Sequence, residues 1–259
     1  MTIEAFDRVH LDGTGFDRIT ESEVVAVVRE AINAGRGGRI VTPNIDILRQ
    51  AQHNQRVRAY LDDADLIVAD GMPLVWASKL SGTPLPERVA GSNLIWSLSE
   101  GLGRDGRSIF VVGGNPATAA EPDGATRAAA RLAAGCPGLR IAGTLCPPYG
   151  FERDEESFAD LCRKVAGAEP DLVFVGLGFP KQEGVINRLR AELPRAWFIG
   201  CGAAVNFVAG DVERAPRWMQ RTGLEWAHRL GTEPRRLAGR YLKHDAPYAL
   251  KLLAQSRRR

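Results

Sequence analysis

Short apolar runs and longer amphipathic stretches alternate along the chain. Glu21 to Asn33 carries Val24, Val25, Val27, Val28, Ala31 and Ile32, an apolar set that predicts a helix, and the glycines from Gly35 to Gly38 end it. Arg39-Ile40-Val41 predicts a strand that stops at Thr42-Pro43-Asn44, where proline cannot continue it. A helix is expected from Ile45 to about Tyr60. Asp65-Leu66-Ile67-Val68-Ala69-Asp70-Gly71 places four apolar residues between turn formers, the pattern of a strand buried on both faces. A helix from Pro73 to about Leu80 follows. Pro84 to Gly91 reads as a loop leading to a helix over Asn93 to Leu102.

The second half repeats the alternation. Ser108–Val112 predicts a strand, Gly113-Gly114-Asn115-Pro116 a turn, and the alanine-rich run to about Ala134 a helix. Leu139–Ala142 is a further strand. Phe158–Ala168 predicts a helix, Asp171–Val175 a central strand, Lys181 to Ala191 a helix, and Trp197–Ile199 another strand before Gly200-Cys201-Gly202-Ala203-Ala204. Strands that end in small-residue turns and open into helices predict an α/β fold, with mostly parallel sheets in Rossmann-like βα units. Residues 1–210 form the expected body, divisible near 103 and 104. Residues 211–259 form an expected basic helical appendage.

Composition narrows the class. At 259 residues, 25% charged and 44% apolar, the chain has the make-up of a soluble globular protein. Its four cysteines form no CxxC pair and no zinc spacing, which suits a reduced cytosolic setting. The stretch from Met1 to Arg18 mixes acids and bases, so no signal peptide is expected. No apolar run approaches the ~18 residues of a membrane span. Charge is uneven: residues 211–259 hold 12 Lys/Arg against 5 Asp/Glu, and residues 1–210 hold 22 against 26. A basic tail on an acidic body suits an anionic partner: phosphates, a lipid surface or nucleic acid.

Several residues carry candidate chemistry. Asp70 stands where its strand would end, and ligands of open parallel sheets bind beyond strand carboxyl ends; Asp70-Gly71 also suits a plain turn. Thr42 and Asn44 could hold sugar hydroxyls or phosphate, or cap the next helix. Arg88 could grip a phosphate or pair with Glu87. Gly113-Gly114 could cradle a nucleotide, although the run is not G-x-G-x-x-G and the next strand ends in Gly143-Thr144 without the acid that grips an NAD ribose. Tyr149 could stack on a base or pack on the surface. Gly176-Leu177-Gly178 permits close backbone approach, with Lys181 and Gln182 at the start of the next helix. Asp62-Asp63-Ala64-Asp65 contains a D-x-D pattern but precedes its strand, so it reads as a solvated loop and no metal is expected. In the tail, Arg214, Arg217 and Arg221 would share one helical face beside Trp218, and Arg257-Arg258-Arg259 reads as a disordered end. Tryptophan among arginines suits a membrane interface, against packing on the body as the alternative.

The ordered motifs Thr42-Pro43-Asn44, Asp70-Gly71, Glu87-Arg88-Val89-x-Gly91, Gly176-x-Gly178-x-Pro180-Lys181-Gln182-Glu183, Arg214-Ala215-Pro216-x-Trp218 and Leu224-Glu225-Trp226-x-x-Arg229-Leu230, with Glu233-Pro234, resemble the WecG/TagA/CpsF glycosyltransferase family from about Arg39 to Leu242. The resemblance implies an inverting, metal-independent transferase without a cofactor. It would move a sugar, often N-acetylmannosamine, from a UDP-sugar to an undecaprenyl-diphosphate-linked acceptor in cell-surface polysaccharide synthesis. It implies Asp70 as general base, Thr42, Asn44 and Gln182 as polar lining, and Arg88 at the diphosphate leaving group. Tyr149 and Asn206 would meet the nucleotide base; apart from the resemblance, the small-residue turns make Gly113, Gly114, Gly178, Lys181 and Gly202 substrate-binding candidates. Arg229, Arg236 and Arg240 would complete the site from a segment bound to the inner leaflet of the plasma membrane. Asn206 and Asn93 stand where the family commonly has aspartate, and Gly239-Arg240 where an arginine pair is common.

Rival readings are transfer of glucose or a uronic acid on the same fold, and a nucleotide-binding regulatory module that only senses. The trio Asp70, Arg88 and Gln182 favours the enzyme, since sensing needs no base. A nucleic-acid partner is not expected, because no recognition fold accompanies the basic tail. Self-association that hides the apolar side of the tail is compatible with the same pattern.

Overall fold

The computed structural model describes residues 6–257, and the side chains of Arg217, Arg221 and Arg236 lie outside the described residues. In chain order come a hairpin of β1 (Arg8–Leu11) and β2 (Thr14–Asp17), α1 (Glu21–Asn33), β3 (Gly38–Val41), α2 (Ile45–Ala51), α3 (Gln55–Asp62), β4 (Leu66–Ile67), α4 (Met72–Leu80) and α5 (Gly91–Arg104). Next are β5 (Ser108–Gly113), α6 (Gly124–Gly135), β6 (Arg140–Leu145), a 3-10 turn at Phe151–Arg153, α7 (Glu155–Gly167), β7 (Leu172–Gly176), α8 (Lys181–Glu192), β8 (Trp197–Gly200) and α9 (Ala204–Ala209). The tail folds as α10 (Arg217–Thr222), α11 (Glu225–Thr232), α12 (Pro234–Arg240), a π-helical turn at Tyr241–Asp245 and α13 (Ala246–Ser256). No helix among the described residues is long and apolar enough to cross a membrane.

The chain divides into two compact units whose segments interleave. The first comprises Glu21–Val41 and Gly91–Glu213; the second comprises Thr42–Ala90 and the described residues from Arg214 onward and before Glu21.

In the first unit five strands form a parallel sheet in the order β3-β8-β7-β5-β6. One face carries Phe110, Val112, Val173, Val175 and Phe198, packed with Leu161, Val165, Val185, Ile186 and Leu189 of α7 and α8. Helices α1, α5, α6 and α9 pack on one another as a separate layer, and α6 lies against β5 and β6. Strands buried on both faces read as continuous apolar runs, as β5 and β7 do. From β5 the chain first steps outward to β6, then returns across β5 to β7. The strand order therefore reverses between β5 and β7, the topological switch point where α/β sheets bind ligands. Gly113 pairs with Gly176 and Val175 with Gly200, so three neighbouring strands finish in glycine beside that point.

In the second unit the hairpin turn at Asp12-Gly13 is a junction. Both residues have positive φ (44° and 79°), as a two-residue hairpin with right-handed twist requires. Gln52 Nε2 donates to Asp12 O at 2.7 Å, Arg58 to Gly13 O at 3.0 Å, and the Tyr248 hydroxyl of α13 to Asp12 Oδ2 at 2.6 Å. Burial, then that hydrogen bond, pushes the Tyr248 hydroxyl well above its usual range. Asp17 is buried, and accepts from Ile67 N at 2.7 Å and Arg8 Nε at 2.8 Å.

Three expectations need correction. The helix expected over Ile45 to Tyr60 is two helices, because Asn54 Oδ1 accepts from Arg56 N and Val57 N and caps a new start. The strand expected over Leu66–Ala69 pairs only through Ile67, since Ala69 and Asp70 turn to bond other loops. Arg214 does not share a helical face with Arg217 and Arg221, because α10 begins after Pro216.

Gly113 tests the sheet end. Its φ is +116°, and a Cβ there would sit 2.5 Å from Gly176 O of the neighbouring strand. Gly113→Ala is expected to cost about 1–3 kcal/mol, read as a lower urea midpoint at unchanged slope. An unchanged midpoint would contradict the close approach.

Candidate functional site

Backbone hydrogen bonds gather one set of predicted residues in the second unit. Asp70 N donates to Pro43 O and Val89 N to Ala69 O, both at 3.0 Å. Those two bonds tie the Thr42-Pro43-Asn44 turn, the Ala69-Asp70 turn and the Arg88-Val89 loop edge to edge. Thr42 is buried and Asp70 half-buried. Asn44 is the N-cap of α2, its Oδ1 accepting from Ile47 N at 3.0 Å. The capping alternative is therefore realised, and the Nδ2 end of the same amide donates no hydrogen bond among the described residues.

Arg88 is paired, though not with Glu87. Its Nη1 donates to Glu225 Oε2 at 2.9 Å, and Arg214 Nε approaches Glu225 Oε1 at 3.3 Å. Burial alone would raise the Glu225 carboxyl, but Arg214 and Arg88 more than offset it and hold it below the usual range. Sequence reasoning assigned Glu225 no role. The visible signal was its place in Leu224-Glu225-Trp226, an acid inside a basic segment.

Arg240 lies in a second charged cluster of the same unit. Its Nε is 3.4 Å from Asp245 Oδ2, its Nη1 4.0 Å from Asp46 Oδ2, and its guanidinium lies 4.8 Å over the Tyr241 ring. Arg49 pairs with Asp46 at 2.6 Å. Burial, then the neighbouring Asp46, pushes the Asp245 carboxyl up to about 6 against the pull of Arg240 and Arg49. Arg229 sits on α11 with Glu233 Oε1 3.9 Å away. Arg236 belongs to α12, and its side chain lies outside the described residues.

The first unit holds the remaining predicted residues at its strand ends. Gly113 ends β5 and Gly114 follows it, and a Cβ on Gly114 would sit 2.7 Å from Ala125 N, so the turn lies flat on the start of α6. Gly178 has φ +76° with open space around it. Lys181 pairs with Glu152 at 2.5 Å, and that bond is the main cause of a lowered Glu152 carboxyl. Gln182 is buried, its Oε1 accepting from Gly202 N at 3.1 Å and its Nε2 donating to Glu183 Oε1 at 3.1 Å. Tyr149 is 85% exposed, a bare aromatic face beyond β6. Asn206 Oδ1 on α9 is buried without a hydrogen-bond partner among the described residues. Asn93 donates to Glu21 Oε2 at 3.1 Å, which makes it a tie between α5 and α1.

Among the described residues no three His, Cys, Asp or Glu side chains converge as metal ligands. The D-x-D segment finishes α3 and precedes β4, with Asp62 and Asp63 exposed.

The model of the glycosyl transferase WecG/TagA/CpsF family matches residues 9–259. An N-acetylglucosaminyldiphosphoundecaprenol N-acetyl-beta-D-mannosaminyltransferase of Bacillus spizizenii is 37% identical over 205 residues, 79% of this chain and 75% of that protein. A protein of the same name from Bacillus subtilis is 32% identical over 198 residues, 76% of this chain and 73% of its own length.

Glu225→Gln tests the bridge to Arg88. Because the Glu225 carboxyl is lowered in the fold, its stabilisation is present above the ordinary carboxylate range and is lost on acidifying through the folded value. The variant is expected to be less stable than the parent by about 1–3 kcal/mol near neutral pH. Urea midpoints should converge as the pH falls, and a gap that persists in acid would exclude the ionic pairing.

Proposed function

The chain belongs to the WecG/TagA/CpsF family of glycosyltransferases, and on that footing we propose that it moves N-acetylmannosamine from a UDP-sugar to an undecaprenyl-diphosphate-linked N-acetylglucosamine by metal-independent single displacement with inversion. The observation that carries the reading is the pair of backbone bonds that seats Asp70 against Pro43 and Val89 against Ala69. They support it by joining the turns that carry a carboxylate, a hydroxyl, an amide and a guanidinium, groups that transfer to a hydroxyl can use.

Asp70 takes the proton of the acceptor hydroxyl as its oxygen attacks the anomeric carbon. The glycosidic bond to the UDP oxygen breaks with the electron pair going to the diphosphate. Arg88 meets that developing charge. Thr42 and the Nδ2 end of Asn44 hold sugar oxygens. In the first unit, taken by itself, the glycine turns at the switch point leave room for backbone to approach a phosphate closely. Tyr149 offers a stacking face. The unsatisfied Asn206 Oδ1 accepts from the base, as a uracil imide N–H would require.

The tail supplies contact with the membrane that carries the acceptor. Trp218, Trp226, Leu242 and Leu250 are exposed, and so are Arg235, Lys243, Lys251 and Arg257. Exposed tryptophans among cations suit the headgroup region, at roughly 1 kcal/mol per cation near an anionic surface. Peripheral attachment to the inner leaflet of the plasma membrane follows from this reading.

UDP release from a panel of UDP-sugars with a short-chain polyprenyl-diphosphate-N-acetylglucosamine acceptor tests it. UDP-N-acetylmannosamine is expected to give acceptor-dependent release, and Asp70→Asn to lower kcat by ~10²-fold or more with nucleotide affinity unchanged. Full turnover in the variant would remove Asp70 as the base. A faster reaction with another donor would replace N-acetylmannosamine.

A further inference from the structure

We propose that Glu183, anchored by Arg39, is a positioning residue that fixes the polarity of the Gln182 amide, so that Gln182 meets the substrate as a hydrogen-bond donor. The inference rests on the reading that Gln182 lines the transferase site, and it adds two residues to which that reading gives no role.

A glutamine amide has two ends of nearly equal shape, so its polar direction must be imposed from outside. Here both ends are imposed. Gly202 N can only donate, and it reaches Gln182 Oε1 at 3.1 Å. The Glu183 carboxylate can only accept, and it takes Gln182 Nε2 at 3.1 Å. A flipped amide would set oxygen against carboxylate and N–H against N–H. The carboxylate is held in turn by a buried cation: Arg39 Nη2 donates to Glu183 Oε2, and Arg39 Nη1 donates to Asn187 Oδ1 at 2.8 Å. The Arg39 and Glu183 side chains are 0% and 2% exposed, so water does not compete for either.

The backbone is shaped to admit this chain of bonds. A Cβ at Gly200 would lie 2.7 Å from both Gln182 Cδ and Glu183 Oε1. Glycine at the end of β8 therefore lets the two side chains pass beneath the turn that carries Gly202. With Oε1 and one Nε2 hydrogen engaged, the side chain has one N–H left. That hydrogen suits an acceptor oxygen: a phosphoryl or carbonyl oxygen of the donor, or a hydroxyl oxygen of the acceptor.

The test is a double-mutant cycle of Gln182→Ala and Glu183→Gln in the full chain. It reads kcat, KM for each substrate and the hydrogen-exchange rate of the Gly202 backbone amide by NMR. In Glu183→Gln the new amide turns its oxygen toward Arg39 and its NH2 toward Gln182, which favours the flipped state. Gly202 exchange is expected to accelerate about tenfold and kcat to fall about tenfold. On the Gln182→Ala background the same change should lower kcat by less than about twofold, because residues that act through one another are non-additive. The KM that rises with Gln182→Ala identifies which substrate carries the oxygen.

Multiplicative losses in the cycle, or unchanged exchange and kcat in Glu183→Gln while Gln182→Ala is impaired, would overturn the positioning role and leave the site reading intact. Faster Gly202 exchange with full activity in both single variants would overturn the presence of Gln182 at the site, and the proposal with it. If Glu183→Gln does not fold, Arg39→Met with Glu183→Met removes both charges together and leaves no orphan ion. The same non-additivity with Gln182→Ala is then expected, and its absence overturns the proposal.

Discussion

The buried contact between Arg39 and Glu183 is the constraint on which the first unit depends. Two ions taken out of water carry a desolvation cost that attraction repays only when the remaining donors and acceptors are also satisfied. Here the two terminal nitrogens of Arg39 reach Asn187 and Glu183, and Glu183 accepts from Gln182 as well as Arg39, while Arg39 Nε is buried without a hydrogen-bond partner among the described residues. Strand β3 is thereby tied to the first two turns of α8, and α8 to the turn beyond β8. A packed apolar set of the same volume could hold α8 as firmly. It could not dictate which end of the Gln182 amide faces Gly202, so the charges buy direction more than stability.

The second unit solves a comparable problem with the main chain. Its predicted site residues lie on three loops, and loops are poor scaffolds unless their backbone groups are spoken for. The bonds from Asp70 N to Pro43 O and from Val89 N to Ala69 O meet that need. They also explain why β4 is only two residues long, since Ala69 and Asp70 lend their backbone to loops instead of a ladder. The Asp12-Gly13 turn, bonded by Gln52, Arg58 and Tyr248, does the same for α13 and the hairpin. Gly223 lets the end of α10 press on α4, where a Cβ would sit 2.6 Å from Met72.

Much of this was legible in the residues. The parallel α/β character followed from apolar runs ending in glycine, and α1 matches its expected bounds because a valine stripe ends in Asn33 and Gly35. The hairpin carries a turn signature, Asp12-Gly13 between Val9-Leu11 and Phe16, that the apolar alternation alone does not single out. The split between α2 and α3 turns on Asn54, which falls inside the helix expected over Ile45 to Tyr60 but caps a new start. What no local pattern could show is which segments share a unit. Residues 42–90 and the tail group together across more than a hundred intervening residues, and that is decided by long-range contact. Arg39 offered one overlooked clue: an arginine in a strand otherwise apolar must find a buried anion.

The bridge from Arg88 to Glu225 bears on how the arginine proposed to meet the diphosphate can do so while already paired. An unpaired guanidinium on a long stem carries rotamer freedom that a ligand must first remove. Glu225 engages Nη1 alone, and a guanidinium has five N–H donors fixed in one plane. The bond therefore orients Arg88 without exhausting it. Glu225 is also shared with Arg214, so its charge is divided between two cations. Arg214 and Arg88 hold the Glu225 carboxyl below the usual carboxylate range against its burial, so the pairing favours the ionised form that accepts from Arg88. The same carboxylate belongs to the tail and touches the loop that follows Asp70. Docking of the tail and the posture of Arg88 are thus one equilibrium, so a change that loosens α11 is felt first at the arginine assigned to the leaving group.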